Sequence, residues 1–315
     1  MTDERTRGAA PAAADPGGVV GERRQLVNLA YRLLGSLAEA EDAVQEAYAR
    51  WYALSGQQRA AVVSPGAWLS TVAGRICLDL LGSARVRRER YVGAWLPEPV
   101  PDRAEWAGRG GPEDPADLVT LDESVDMALL VVLEAMTPAE RVAFVLHDVF
   151  RYPFPEIAGI VGRTPAACRQ LAASARRRVR AAGAPAVPAG ARAGLVRDFR
   201  KAWQARDVAA LVGLLAPGAT MTADGGGQAG AALLPVVGGE RIARYLVHFA
   251  ERAPGLALLE RSVNGRPGLV ARLGERTATV AAFEPAAGPV VRIGRIWAVR
   301  NPDKLQPWSA LCPAD

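Results

Sequence analysis

Cysteine is scarce in this chain of 315 residues: three, at Cys77, Cys168 and Cys312. They are too scattered for a disulfide framework and lack the paired spacing of a zinc site, so they are expected to be small packing residues. Histidine is as rare, with two, and only two of the 38 basic residues are lysine. No apolar run reaches the ~20 residues needed to cross a membrane. The opening MTDERTRGAAPAAADPGG mixes charges with Ala, Pro and Gly and has no apolar stretch of the signal-peptide kind, which excludes a membrane partner and predicts a cytoplasmic location. What the chain does have is 50% apolar residues, enough for real cores, and a length that predicts two or three domains. A net charge of +5 suits a nucleic-acid partner.

The most informative segment is PFPEIAGIVGRTPAACRQLAASARRRVR, residues 153–180. It reads as a helix, a three-residue turn and a second helix, the outline of a helix-turn-helix DNA reader. Thr164 can cap the second helix, with Pro165 at its first position, where a missing N–H costs nothing. Cys168, Leu171, Ala172, Ala175 and Val179 then recur at three- and four-residue steps as one apolar stripe. Arg169, Gln170, Arg176, Arg177 and Arg180 fall on the rest of the cylinder. Residues 169–180 hold five arginines and no acid, whereas an ordinary solvated face mixes signs.

Residues 22–92 read as all helical. Leu26, Leu29, Ala30, Leu33 and Leu34 line a first helix that stops at Gly35-Ser36; Val44, Ala47, Tyr48, Trp51 and Leu54 line a second; a third runs from Pro65. The second helix presents Glu39, Asp42 and Glu46 at helical spacing, with Glu41 beside them. The third carries Arg75 and runs into Arg85, Arg87, Arg88 and Arg90. Residues 93–126 are rich in Pro, Gly and acids, the composition of a flexible linker. About 30 residues at ~3.3 Å each reach ~100 Å, which would hold two DNA-contacting domains two or more duplex turns apart at ~34 Å per turn. After an Ala/Pro/Gly hinge come helices at 191–206 and 207–215, a Gly-rich turn, a helix near 239–252, and strand-like segments at 256–264, 268–273, 277–283 and 289–299. Helices followed by a run of antiparallel strands predict an α+β domain whose curved sheet wraps a helix and encloses a pocket.

This order of parts resembles an extracytoplasmic-function (ECF) RNA polymerase sigma factor. LAYRLLGSLAEAEDAVQEAYARW resembles region two of that family, GAWLSTVAGRICLDLL its promoter-melting part, and MTPAERVAFVLHDVFRYPFPEIAGIVGRTPAACRQLAASARRRV its region four. YVGAWLPEP (91–99), DGGGQ (224–228) and NPDKL (301–305) resemble the signature motifs of the subgroup with a SnoaL-like C-terminal extension. That subgroup usually has Pro where Ala94 stands and Lys where Gln228 stands. The resemblance implies a multidomain chain of two all-α domains and an α+β, NTF2-like cone. Its expected divisions are a disordered 1–20, region two at 21–92, an acidic linker at 93–126, region four at 127–182, a hinge at 183–190 and the SnoaL-like domain at 191–315.

The same resemblance implies partners and roles. Glu39, Glu41, Asp42, Gln45 and Glu46 would meet the clamp of the polymerase β′ subunit. Thr164, Ala166, Ala167, Arg169 and Gln170 would lie at the promoter's minus-thirty-five element, Arg169 pairing with guanine, while Arg176, Arg177 and Arg178 sit over phosphates. Arg75, Arg85, Arg87 and Arg88 would hold the backbone of a melted minus-ten element, whose flipped base lies against the loop about Ser55 to Ser64. Tyr91, Trp95, Leu96, Pro97, Glu98 and Pro99 would contact Asp224, Gly225, Gly226 and Gly227 together with Asn301, Pro302, Asp303, Lys304 and Leu305, clamping the helical domains so that the extension controls them in cis. The glycines read equally well as a tight turn.

No cofactor, metal or catalytic residue is implied. The C-terminal domain has one histidine, His248, on its middle helix, where a lone histidine is more often structural than catalytic. A pocket for a small unknown ligand remains open. Two other readings stand beside the sigma factor: a ligand-responsive helix-turn-helix regulator that never joins polymerase, and a SnoaL-type isomerase or cyclase fused to a DNA-binding module. The acidic stripe opposes the first, and the missing Asp/His constellation opposes the second.

Overall fold

The computed structural model describes residues 16–89, 91–102, 126–183 and 187–309, with side chains at all of them except 16–21, 84–89 and 309. Helix α1 (Pro16–Leu34) opens on the proline favoured at a first helical position. Residues 16–20, expected to be disordered, are thus helical, while 1–15 lie outside the described residues. Gly35 leaves α1 at φ 72°, and Ser36 then caps α2 (Leu37–Ala53) by accepting from the Glu39 N–H. A short α3 (Gly56–Ala60) fills half of the stretch expected as a loop, because Ser55 and Gln58 form a reciprocal capping box. Helix α4 (Pro65–Glu89) completes this bundle.

The next helices are α5 (Met127–Glu134), α6 (Pro138–Phe144) with a π-helical turn at Val145–Val149, α7 (Phe154–Val161) and α8 (Pro165–Ala182). Gly162 at φ 70° ends α7, and Thr164 caps α8 as its sequence predicts. The two helical groups are not held apart. Leu29, Leu33 and Ala73 share one continuous core with Val142, Leu146 and Ile157. Arg141 of α6 reaches back to the Leu33 carbonyl at 2.9 Å and the Glu134 carboxylate at 2.7 Å. Ile160 of α7 packs on Gly74 of α4, where an added Cβ would stand 3.2 Å from its side chain.

The start of the expected linker also differs. Leu96, Pro97, Glu98, Pro99, Val100 and Pro101 are buried, not solvated, and run extended between the helices and the C-terminal sheet. Three prolines in six residues restrict the free chain to extended shapes, so little entropy is lost when the strip docks. Residues 103–125, with most of the acids, lie outside the described residues.

Helices α9 (Ala189–Gln204) and α10 (Val208–Leu214) lead into a six-stranded sheet in the order β2-β1-β6-β5-β4-β3. Its strands are β1 (Leu215–Asp224), β2 (Val236–Val237), β3 (Leu256–Val263), β4 (Arg266–Leu273), β5 (Arg276–Pro285) and β6 (Ile293–Val299), with α11 (Gly239–Glu251) between β2 and β3. The four strands expected between 256 and 299 are antiparallel neighbours, and β1, which the sequence pattern does not reveal, lies parallel to β6 and makes the sheet mixed. A parallel neighbour needs a long crossover, and here α11 and the β3–β5 meander supply it. One face packs on α9 to α11 through Phe199, Trp203, Ile242 and Leu246. The other packs on Leu96, on Met127 at the start of α5, and on Trp308 of the closing α12 (Gln306–Ser309), which follows a 3₁₀ turn at Pro302–Leu305. Both faces of the sheet are therefore committed, the second to the sigma-like helices.

Gly35 tests this docking. Its positive φ disfavours a side chain, and a Cβ there would stand 2.9 Å from the Trp95 ring. Gly35→Ala is expected to destabilise the fold by ~1–2 kcal/mol from the backbone conformation alone. The close approach of Trp95 adds to that loss, so urea unfolding checks both: an unchanged midpoint contradicts the positive φ, and a loss no larger than the backbone cost contradicts the docked strip.

Candidate interdomain latch and nucleic-acid interface

The end of β1 places Asp224 with 0% exposure, and a carboxylate there requires partners. Oδ1 accepts from the Tyr91 hydroxyl at 2.5 Å and the Gly226 N–H at 3.1 Å; Oδ2 accepts from the Leu96 N–H at 2.9 Å and the Lys304 ammonium at 2.7 Å. Lys304 also donates to the Leu96 carbonyl and stands 4.0 Å from the centre of the Trp95 ring, a cation–π contact. Asn301 donates to the Tyr91 oxygen at 2.9 Å and turns the chain by accepting from the Asp303 N–H. Gly226 has φ 61°, and a Cβ there would sit 2.5 Å from Asn301, so this turn tolerates no side chain. Gly225 and Gly227 flank it, and Gln228 reaches Asp303 at 2.8 Å. Pro302 opens the 3₁₀ turn and Leu305 is buried against the sheet. Three sequence segments far apart in the chain thus meet around one buried charge. Burial and the adjacent Asp224 carboxylate hold the Tyr91 hydroxyl protonated well above its ordinary range.

The strip's other edge is bound as tightly. Tyr31 of α1 donates to the Glu98 carbonyl at 2.7 Å and accepts from the Asn264 amide at 2.8 Å. Asn264 exchanges two hydrogen bonds with Val100, and Trp308 donates to the Pro99 carbonyl at 2.8 Å. The Glu98 carboxylate accepts the Leu37 N–H at 2.8 Å, so the strip caps the first turn of α2. Burial pushes the Glu98 carboxyl up to about 7, against the pull of the Leu37 and Ser36 hydrogen bonds and the Lys304 charge. Tyr31, Asn264 and Trp308 escaped sequence reasoning. Only Asn264-Gly265 carried a local signal, that of a tight hairpin between two strands, and a hairpin signal says nothing about its partner.

On α8, Ala166, Arg169, Gln170, Arg177 and Arg178 are exposed, Ala167 is half-buried, and the Thr164 hydroxyl is occupied with the Ala167 N–H. Arg169 leans on the Phe154 ring, 5.3 Å from its centre. Arg176 is tied to Asp148 at 2.6 Å, and Arg178 lies 3.9 Å from Glu140. Arg75 donates to the Gly159 carbonyl of α7 at 2.8 Å, so its guanidinium faces the helix-turn-helix in this structure. The side chains of Arg85, Arg87 and Arg88 lie outside the described residues. Trp68 packs on Trp51 with ring centres 5.2 Å apart, a core role. On α2, Asp42, Gln45 and Glu46 are exposed and Glu39 and Glu41 half-buried; Arg23 pairs with Glu41 and Arg50 with Glu46. His248 is on the exposed side of α11, 3.8 Å from Glu251.

A helix-turn-helix docked on a second helical bundle, with a latched α+β domain behind both, is the architecture of a modular DNA-reading factor. Comparison with known proteins gives its kind. The sigma-70 region 2 family matches residues 19–87 and the sigma-70, region 4 family residues 126–179. The ECF RNA polymerase sigma factor SigJ of Mycobacterium tuberculosis is 39% identical over 90% of this chain and 90% of its own. The probable ECF sigma factor SigI of the same species is 35% identical over 91% and 93%. The crystal structure of M. tuberculosis SigJ superposes with a TM-score of 0.72 at 35% identity, covering 91% of this chain and 96% of that one. The chain belongs to the ECF RNA polymerase sigma factors. It is a transcription initiation factor, not an enzyme.

Two measurements test the site. Between its unfolded value near 4.5 and its folded value near 7, Glu98 holds a proton more tightly when folded, so its contribution to stability is full below the first and lost as pH rises through the second. The stability of wild type minus that of Glu98→Gln should therefore fall by on the order of 3 kcal/mol across that window. A flat difference from urea midpoints would refute the buried carboxylate. For promoter DNA, Arg177→Ala should lower the slope of log affinity against log salt by ~0.9, and Arg169→Ala should cost ~1–3 kcal/mol on the correct site only. Arg176→Ala should change the slope less, since Asp148 already holds that guanidinium.

Proposed function

We propose that this sigma factor, whose partners are core RNA polymerase and promoter DNA, is held in a closed state by its own C-terminal domain. The observation that carries the reading is the latch: one buried Asp224 joins the strip that follows region two to the turn that ends the sheet. On the other side of the same strip, Glu98 caps α2, the helix whose Asp42, Gln45 and Glu46 are offered to the β′ clamp. Release of the strip removes that cap and alters the first turn of the polymerase-facing helix.

The closed state also occupies a DNA-facing group. Arg75 is spent on Gly159, and the modules share a core, whereas promoter elements about two turns apart require them ~70 Å apart at ~34 Å per turn. The linker supplies the reach once the modules part. By this reading the extension inhibits, and opening the latch activates.

A run-off assay tests it on a promoter that core polymerase alone ignores. The full-length chain should bind core polymerase and start transcription there. Lys304→Met with Asp224→Asn removes both latch charges without leaving one unpaired, and is expected to raise run-off product several-fold. Product equal to wild type at equal polymerase occupancy rejects control in cis, and failure to bind core polymerase rejects the reading as a whole.

A further inference from the structure

The C-terminal domain contains a cavity-facing arginine, Arg300, with no acidic partner among the described residues. Between α9, α11 and the inner face of the sheet lies a pocket of about 30 Å³, lined by Phe199, Trp203, Tyr245, Phe249 and Phe283 together with Arg300. Its wall is almost wholly apolar. Arg300 stacks on the Phe249 ring at 4.7 Å and hydrogen-bonds Tyr245, but its Nε is buried with no hydrogen-bond partner among the described residues. Among the described residues no carboxylate pairs with it, and the charged group that bears on it most is another cation, Arg276. A guanidinium partly withdrawn from water beside an aromatic pocket, with its Nε buried, is stabilised when an anion meets it.

We infer that this pocket binds a small apolar carboxylate, with the carboxylate on Arg300 and Tyr245 and the apolar body among the aromatic rings, and that its binding loosens the latch. The inference rests on the closed state proposed above for its second half only. Aromatic walls with a few convergent polar groups are the ordinary make-up of small-ligand sites, and an arginine fork selects carboxylates over neutral groups.

The route from pocket to latch is short and covalent. Along β1, Ala223 lines the pocket, and the next residue, Asp224, faces the strip. Along β6 and its exit, Ala298 and Arg300 line the pocket while Asn301 holds Tyr91. The N–H groups of Arg300 and Asn301 both donate to the Asp224 carbonyl, at 2.7 and 2.9 Å. A space of about 30 Å³ holds little more than a water molecule, so an organic acid must spread α11 from these strand ends. That movement pulls on the peptide that carries both Arg300 and Asn301.

Calorimetry on the full-length chain tests this with octanoate and benzoate against the neutral 1-octanol and benzyl alcohol. The carboxylates should bind at least tenfold more tightly than their neutral counterparts, with the preference lost in Arg300→Met and kept in Arg300→Lys. Hydrogen exchange of the Leu96 amide should accelerate several-fold on saturation with octanoate. No binding tighter than ~1 mM, equal binding of neutral and anionic probes, or full preference in Arg300→Met overturns the ligand class. Binding that leaves Leu96 exchange unchanged overturns the coupling. Neither readout involves polymerase, so cis control can fail in the run-off assay while this site stands, and the reverse.

Discussion

A carboxylate with no access to water is tolerable only when its lone pairs are filled, and Asp224 has them filled from three directions. The Lys304 charge, the Tyr91 hydroxyl and the Leu96 and Gly226 amides come from segments that only this arrangement brings together. Removing one partner alone leaves a buried charge unmatched, a loss of ~3–5 kcal/mol. The latch is therefore cooperative: its members are stable together, and none is stable alone. Such an element has two states and little in between, which is what a regulatory contact requires.

The helical half of the molecule was legible because its signals are local. Thr164-Pro165, Ser36 after Gly35, and apolar residues at three- and four-residue steps each specify a helix start or face without knowledge of the remainder. Strand β1 was not legible. It contains Pro217-Gly218, and its inward residues Ala219, Met221 and Ala223 alternate with threonines, so the contrast between faces is faint. Its parallel pairing with β6 is set by some 70 residues of intervening chain, about which a local pattern is silent. The strip at 94–101 misled for a related reason. Proline and glutamate read as linker composition, and what buries Glu98 is the first turn of α2, 61 residues earlier.

The arginines show the same limit at the level of single side chains. Spacing placed Arg169, Arg176, Arg177 and Arg180 on the open side of α8; among the described residues Arg177 is exposed, while Arg176 is tied to Asp148 and Arg178 lies near Glu140. Charge pattern identifies a basic surface. It does not tell which cations are already neutralised within the fold, and only the others release counterions when DNA binds.

The contact between the helical groups combines a shared apolar core with polar contacts whose acceptors are exchangeable. The groups share the apolar core of Leu29, Leu33, Ala73, Val142, Leu146 and Ile157, and beside it stand Ile160 on Gly74, Arg75 on Gly159, and Arg141 on Leu33. Two of these are hydrogen bonds from arginine to a backbone carbonyl. Such a bond is worth ~1.5–3 kcal/mol net, and a DNA phosphate offers Arg75 an equally good acceptor with a full negative charge. In the proposed opening, separation of the modules would exchange one acceptor for another at Arg75, while the shared apolar core around Ile157 and Ile160 would favour the closed state. A latch on the far side of the bundle can govern that exchange because it adds its free energy to the closed state alone.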